Sequence, residues 1–284
     1  MPGRLTVVGL GIRVPGQVTE ETRRAILSAD DVVYLVADAT SEAWLRRVRP
    51  RARSLADCYR EGRPRELAYR QMVERILGPV REGRTVCAAF YGHPGVFVFP
   101  SHEAVRQARR EGFEARMLPG ISAEDCLFAD LGIDPGRGGC QSFEATDFLV
   151  FRRRIDPRSS LILWQVGMVG RIDARRAGFP RNRPRLEILQ RALVAWYPSD
   201  HEGVLYEASP FVVLEPSVRR IRLSDLARSA PDFATTLYVP PLPAAPDARV
   251  LRRLDIRSSE VQRATPCWEG DSGAASRIAR SRGG

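Results

Sequence analysis

Tyr59, Arg65 and Tyr69 are the residues whose types and spacing first point to chemistry. Arg65 and Tyr69 stand four apart in RELAYRQMVERILGPVREG, where Leu67, Met72, Ile76 and Val80 recur near helical spacing, so the pair shares one face of a predicted helix. Pro64 suits the first helical position, and Tyr59, before it, can curl back from the loop. A fixed cation with phenolic hydroxyls beside it can stabilise negative charge developing on an oxygen. A tyrosine at its usual pKa of about 10 is a poor base near pH 7, and a neighbouring guanidinium would lower that value. A purely structural reading stands beside this one, with Arg65 paired to Glu61 or Glu66 and Tyr69 an amphipathic core residue.

Two glycine loops follow apolar runs. Gly9-x-Gly11 closes LTVVGL but lacks the close G-x-x-G continuation of a dinucleotide fingerprint, so a tight turn explains it equally well. Tyr91-Gly92-His93-Pro94-Gly95 follows TVCAAF and is more specific. Glycine there permits close backbone approach, proline fixes the loop shape, and a crevice beyond the carboxyl ends of parallel strands is a good place for a small ligand. His93 either supports such a ligand or is satisfied within its own loop.

Composition removes several chemistries. The chain has 284 residues, 44 basic and 34 acidic, a net charge of +10, and every basic side chain is arginine. Schiff-base lysine chemistry and the lysine of a nucleotide P-loop are thereby excluded. Cys58, Cys87, Cys126, Cys140 and Cys267 form no C-x-x-C pair, and their odd count argues for free thiols and a cytoplasmic chain. His93, His102 and His201 make no H-E-x-x-H motif, so no protein-built metal site is expected. No apolar run approaches the roughly 20 residues of a membrane span, and the N-terminus lacks a secretion signal. The arginine runs at 152–154 and 171–185 read as solvated loops or faces. With no zinc finger, KH loop or RNP pattern, nucleic acid is not the expected partner; an acidic peptide or leader segment would suit the charge as well.

The elements that must position these residues follow an alternating rhythm. Strands are predicted at 5–10, 32–36, 84–90 and 115–118. Between them come a helix capped by Thr19, a short helix capped by Ser41, the helix from Pro64, which Gly78-Pro79 should end or distort, and a helix over 100–112. That is the rhythm of a parallel sheet. Pro119-Gly120 looks like a joint, after which Ser122 caps a helix with Asp125 at its third position. Strand candidates at 147–151, 161–165, 203–207 and 235–239, with a helix over 186–196, predict an α+β second domain. Residues 1–118 and 119–245 thus form two domains, followed by a basic, flexible tail at 246–284 that lacks a fixed fold from 262 onward.

Gly9-Leu10-Gly11, Ala37-Asp38, YGHPGVF at 91–97 and PGISAEDCLFADLG at 119–132 resemble the tetrapyrrole (corrin/porphyrin) methylase fold. More narrowly, YGHPGVFVFP, the tyrosine-bearing segment before it and WQVG at 164–167 resemble the borosin peptide backbone α-N-methyltransferases, over residues 3 to about 245. The resemblance implies a two-domain α/β fold with S-adenosyl-L-methionine in the cleft between domains, a five-stranded N-terminal sheet, a second mixed sheet, and a homodimer that helps enclose the peptide. It implies methylation of backbone amide nitrogens, with Tyr59 removing the amide proton, Arg65 and Tyr69 polarising the amide oxygen, and Tyr91 ordering the acceptor or the methionine portion of the cofactor. Gly9, Gly11, Asp38, Tyr91, His93, Val96, Ser122, Ala123, Gln165 and Thr236 are its candidate cofactor residues. Ser122 has a helix cap as its plain alternative, Asp38 a helix or loop role, and Thr235 rivals Thr236. Fused members carry their core peptide at their own C-terminus. The tail here shows no apolar core run, so the expectation is a split enzyme acting on a precursor peptide in trans. A methyltransferase of tetrapyrroles or other small molecules and a non-catalytic peptide- or RNA-binding module are the alternatives.

Overall fold

The structure, a computed structural model, describes residues 2–59, 64–171 and 179–260. Its first half comprises β1 (Arg4–Gly9), α1 (Glu20–Ser28), β2 (Asp31–Leu35), α2 (Ala39–Val48), β3 (Arg53–Ser54), α3 (Arg65–Arg81), β4 (Thr85–Phe90), α4 (Phe99–Arg110) and β5 (Glu114–Leu118). The strands form one parallel sheet in the order β3-β2-β4-β1-β5. Both faces are buried, and the two-residue period of each strand sorts the side chains. Leu5, Val7, Val33, Leu35, Val86, Ala88 and Phe90 face α3 and α4. Val8, Val32, Tyr34, Cys87 and Ala89 face the other way, toward Ile26 of α1 and Leu45 of α2. Right-handed crossovers through α1 and α2 move the chain one way along the sheet, and those through α3 and α4 move it back on the opposite face. The reversal leaves a crevice beyond the carboxyl ends of β1 and β4.

The second half contains α5 (Ala123–Leu131), β6 (Cys140–Glu144), α6 (Ala145–Val150), β7 (Ser160–Trp164), α7 (Phe179–Val194), β8 (Glu202–Glu207), β9 (Ser217–Arg222), β10 (Thr236–Val239) and α8 (Ala248–Arg253). Its mixed sheet runs β6-β7-β10-β8-β9, parallel at β6–β7 and antiparallel elsewhere. One face packs Leu161, Leu163, Leu205 and Leu237 against Leu186, Leu189 and Leu193 of α7. The other packs Ile162, Trp164, Tyr206 and Tyr238 against α5, where Ile12 and Ile121 from the first sheet's strand-end loops join them. The two halves therefore share a core on the side where the first sheet's loops emerge.

Four expectations need correction. Helix α2 begins earlier than predicted: Asp38 caps it, accepting from Ser41 N–H (2.8 Å) and Ser41 Oγ (2.6 Å), so Ser41 is an interior residue and not the cap. Helix α3 runs through Gly78-Pro79 to Arg81. A mid-helix proline costs ~3 kcal/mol, but Ile76, Leu77 and Val80 are fully buried, each gain ~1.5–3 kcal/mol, and lie in the same turns. The strand expected at 147–151 is helix α6 instead, because Glu144 Oε2 accepts from Asp147 N–H at 2.7 Å and caps it. A short apolar run does not by itself separate strand from helix. The 246–284 segment is not irregular throughout, since Asp247 caps α8. Residues 261–284 and Glu61 lie outside the described residues.

Candidate active site

Three strand ends meet at glycine. A Cβ on Gly9 would lie 2.5 Å from Gly92 O and 2.8 Å from Gly120 Cα, so no side chain fits between the ends of β1, β4 and β5. Gly11 and Gly92 close the contact with a pair of hydrogen bonds, Gly92 N–H to Gly11 O at 2.8 Å and Gly11 N–H to Gly92 O at 3.3 Å. Both adopt positive φ, +74° and +66°, where a Cβ would be strained. Gly9 and Gly11 thus shape the floor of the crevice by close packing.

Tyr91 stands at the head of this loop, its N–H donating to Leu35 O of β2 at 3.1 Å. Its ring keeps 45% of its surface accessible. Desolvation nonetheless pushes its hydroxyl above the usual tyrosine value. Tyr91 thus stands half-exposed at the carboxyl end of β4, where the crevice opens. His93 organises the loop: its Nδ1 accepts from Gly95 N–H (2.9 Å) and its carbonyl from Val96 N–H (3.1 Å), which makes His93 a loop-satisfied histidine and sets half-buried Val96 on the same turn. The loop is tied to α4 by Ser101 Oγ, whose single proton is shared between Pro94 O and Val98 O (2.6 Å), and by His102 Nε2, which donates to Gly95 O (2.9 Å).

The tyrosines and Arg65 converge beside Tyr91. The Tyr59 and Tyr69 rings meet edge to face, 6.3 Å between centroids. Burial is the main influence on the Tyr59 hydroxyl, Tyr69 and Tyr91 add to it, and together they hold its pKa well above the usual value. Arg65 pulls the other way but is outweighed, which corrects the expectation of a lowered Tyr59 pKa. Arg65 likewise acts on Tyr91. Arg65 is half-buried at the start of α3, and its expected partner Glu66 is engaged by Arg70 at 2.5 Å. Among the described residues no carboxylate pairs with Arg65, so a guanidinium, three phenols and an accessible cleft come together.

The second half supplies the opposite wall. Ser122 caps α5 in a reciprocal box: Asp125 N–H donates to Ser122 Oγ at 3.2 Å, while Ser122 N–H and Oγ–H donate to Asp125 Oδ2 at 2.7 Å each. Ala123 is the first residue of α5 and packs with Ile12 and Ile121. Gln165 follows β7 in the left-handed region, at φ 56°, unusual for a non-glycine residue. Val166 N–H donates to Thr235 O at 3.1 Å, and the β7–β10 register that pairs Leu163 with Leu237 sets Gln165 level with Thr235 and Trp164 level with Thr236. Thr235 Oγ1 is already bound to Glu207 and to Asp232 N–H (2.7 Å), whereas Thr236 opens β10. Asp38 caps α2 three residues past the carboxyl end of β2, the strand whose Leu35 O accepts from Tyr91 N–H.

Sequence reasoning missed three aromatic residues here. Phe97 and Phe99, 54% and 52% exposed, continue the loop. Phe97 sits at φ 55° with its ring 5.9 Å from Trp164 across the cleft, and Phe99 stacks on Tyr69 at 5.7 Å. The alternation in GVFVFP was the available signal. Among the described residues the arginine run at 152–154 is partly engaged, Arg153 pairing with Asp147 and lying over Phe151. No described helix is long and apolar enough to cross a membrane.

Comparison with known proteins agrees with this architecture. A methyltransferase/ribosomally synthesized type I borosin cyclic peptide precursor of Coprinopsis marcescibilis is 43% identical over 91% of this chain and 67% of its own length. The gymnopeptides precursor of Gymnopus fusipes and the omphalotin A precursor of Omphalotus olearius, each named as a methyltransferase, are 40% identical over 91% and 89% of this chain. This chain spans 62% of the length of each. Among solved structures, the uroporphyrin-III-C-methyltransferase of Thermus thermophilus superposes with a TM-score of 0.59 at 20% identity, covering 84% of this chain and 93% of its own. The methyltransferase CobJ gives 0.60 at 21%, covering 87% and 97%. These two share the fold of a parallel sheet with loops opening toward a second, mixed sheet. The tetrapyrrole (corrin/porphyrin) methylase pattern matches residues 4–207, from the first strand through β8, and the chain belongs to that family.

Proposed function

We propose that this chain uses S-adenosyl-L-methionine to methylate backbone amide nitrogens of a peptide. The observation that carries the reading is Arg65, a half-buried guanidinium without a carboxylate partner among the described residues, acting on Tyr59 and Tyr91 at the mouth of the cleft. The residues present suit the cofactor: an accessible Tyr91 face for a cation, above a crevice floor that the close glycine packing of Gly9, Gly92 and Gly120 holds flat. His93 and Val96 would shape the loop around it, Ser122 and Ala123 would present the start of α5, and Gln165 and Thr236 would meet it from the second sheet. When bound, the cofactor supplies an activated methyl on a sulfonium.

The harder half of the reaction is the acceptor. An amide nitrogen shares its lone pair with the carbonyl and is a poor nucleophile. Arg65 and Tyr69 would hold the amide oxygen and stabilise the charge that grows there as the nitrogen loses its proton. Tyr59 would receive that proton as its phenolate, having first released its own proton to solvent, and Tyr91 would order the acceptor within reach of the methyl. Burial keeps Tyr59 protonated in the free protein, so a positive charge brought into the cleft with the cofactor acts in the needed direction. A peptide acting in trans and a homodimer that encloses it complete the reading.

The test is mass spectrometry of the purified chain with cofactor and a candidate precursor peptide. Added methyl groups located by fragmentation on backbone nitrogens of the separate peptide support it. Methylation confined to a tetrapyrrole overturns the substrate class, and methylation confined to the chain's own C-terminal residues overturns the trans arrangement.

A further inference from the structure

We infer that Phe99 is a positioning residue, holding the Tyr69 ring in place and coupling it to the 91–97 loop; its consequence for turnover rests on the methylation reading above. Tyr69 is packed on two sides. Its edge contact is Tyr59 at 6.3 Å and 77°, and its face contact is Phe99 at 5.7 Å and 27°. Tyr59 lies in the connection that leads into α3, whereas Phe99 comes from α4, beyond β4. It is the first residue of α4, whose start is bound to the loop through Ser101 and His102.

Exposure makes the placement informative. Phe99 leaves 52% of its surface accessible at a helix start, while the rest of the buried α4 face, Ala104, Val105 and Ala108, lies in the core. A ring at that position contributes little by burial. Stacked on Tyr69, it removes one side of the space into which the tyrosine could rotate. Tyr69, which shares a helix face with Arg65 and meets Tyr59 at its edge, is then held from a second side by an aromatic contact. The 91–97 loop and α3 would thereby hold a common register, with Tyr91 and Tyr69 set relative to each other.

Two measurements test this. The first needs no turnover: 3-fluorotyrosine is placed at position 69, and its fluorine spectrum is compared between the otherwise native protein, Phe99→Leu and Phe99→Trp. Leucine keeps the apolar character and removes the ring. A shifted or broadened line in Phe99→Leu, restored toward the native line in Phe99→Trp, is the expected result, and an unchanged line in Phe99→Leu overturns the proposal. The second is a double-mutant cycle on single-turnover methylation. Phe99→Leu should lower kcat about tenfold with the peptide KM and cofactor affinity held, and should add nothing further in a Tyr69→Phe background. A raised peptide KM at unchanged kcat, or an equal loss in both backgrounds, would show that Phe99 contacts substrate directly and overturn a role through Tyr69. If no variant and no native protein methylates a peptide, the methylation reading fails, and the fluorine comparison alone decides the Phe99–Tyr69 coupling.

Discussion

Tyr59 and Tyr69 are ten positions apart in the chain and belong to different elements, yet their rings meet edge to face at 6.3 Å. The contact exists because the 3-10 turn at Ala56–Cys58 buries Cys58 against α3 and leaves Tyr59 over the first turn of that helix, where Arg65 and Tyr69 share a face. Replacing Arg65 by Ala should lower single-turnover methylation by about 10²-fold or more, the usual loss when a donor to a developing oxyanion is removed. Cofactor affinity by calorimetry and the thermal midpoint should stay close to native, since no described carboxylate is left unpaired. Retained turnover would remove Arg65 from the site.

That cluster was legible in the chain because helical spacing predicts which side chains share a face. The parallel sheet was legible for a related reason: apolar runs alternating with helical patterns, capped at Thr19 and Ser122, leave few topologies. The second half was harder to read. β9, SVRRIR, is an exposed edge strand with no apolar run, and β6, CQSFE, is only half-buried. The helix at Ala145–Val150 depends on the Glu144 cap, which the apolar run DFLV does not announce. The pKa of Tyr59 could not be read from spacing, because its sign is set by how much protein surrounds the hydroxyl, and that outweighs Arg65.

Gly120→Ala should destabilise the fold without touching any reacting group. Its Cβ would stand 2.6 Å from Gly92 O and 2.7 Å from Gly9 Cα, backbone atoms that cannot swing aside. Overpacking of this kind costs about 1–3 kcal/mol. Urea denaturation should show the midpoint falling with the slope unchanged, and an unchanged midpoint would mean that the strand ends separate more easily than their packing indicates.

Alkaline pH should weaken the native state through its tyrosines, the buried ones most and the half-exposed Tyr59 and Tyr91 least. Tyr197 is pushed up to about 12 by burial, and Tyr59, Tyr91, Tyr206 and Tyr238 are also raised, each chiefly by desolvation. In every case the native state binds its proton more tightly than the unfolded chain does. Stability is therefore fully present below the ordinary tyrosine value of about 10 and is lost as pH climbs from there toward 12. Denaturation midpoints at pH 8 and pH 11 should differ in that direction, with Tyr197→Phe reducing the difference.

Ser122 offers the sharpest separation between fold and cofactor. Its hydroxyl and amide are both joined to Asp125, the two halves of a cap that starts α5. Ser122→Ala should cost about 1 kcal/mol of stability, the ordinary value for a lost N-cap, and Ser122→Thr should recover part of it. Cofactor affinity should change by less than about twofold, a few tenths of a kcal/mol, because the side chain has already spent its donor on Asp125. Gln165→Ala should behave in the opposite way. Gln165 holds a left-handed conformation between Trp164 and the start of the Val166–Met168 turn. Such strain is retained where a side chain must be aimed. Calorimetry on the two variants should therefore show weaker cofactor binding at Gln165 and a lower melting point at Ser122. The reverse pattern would move the cofactor contact from the β7 end to the start of α5.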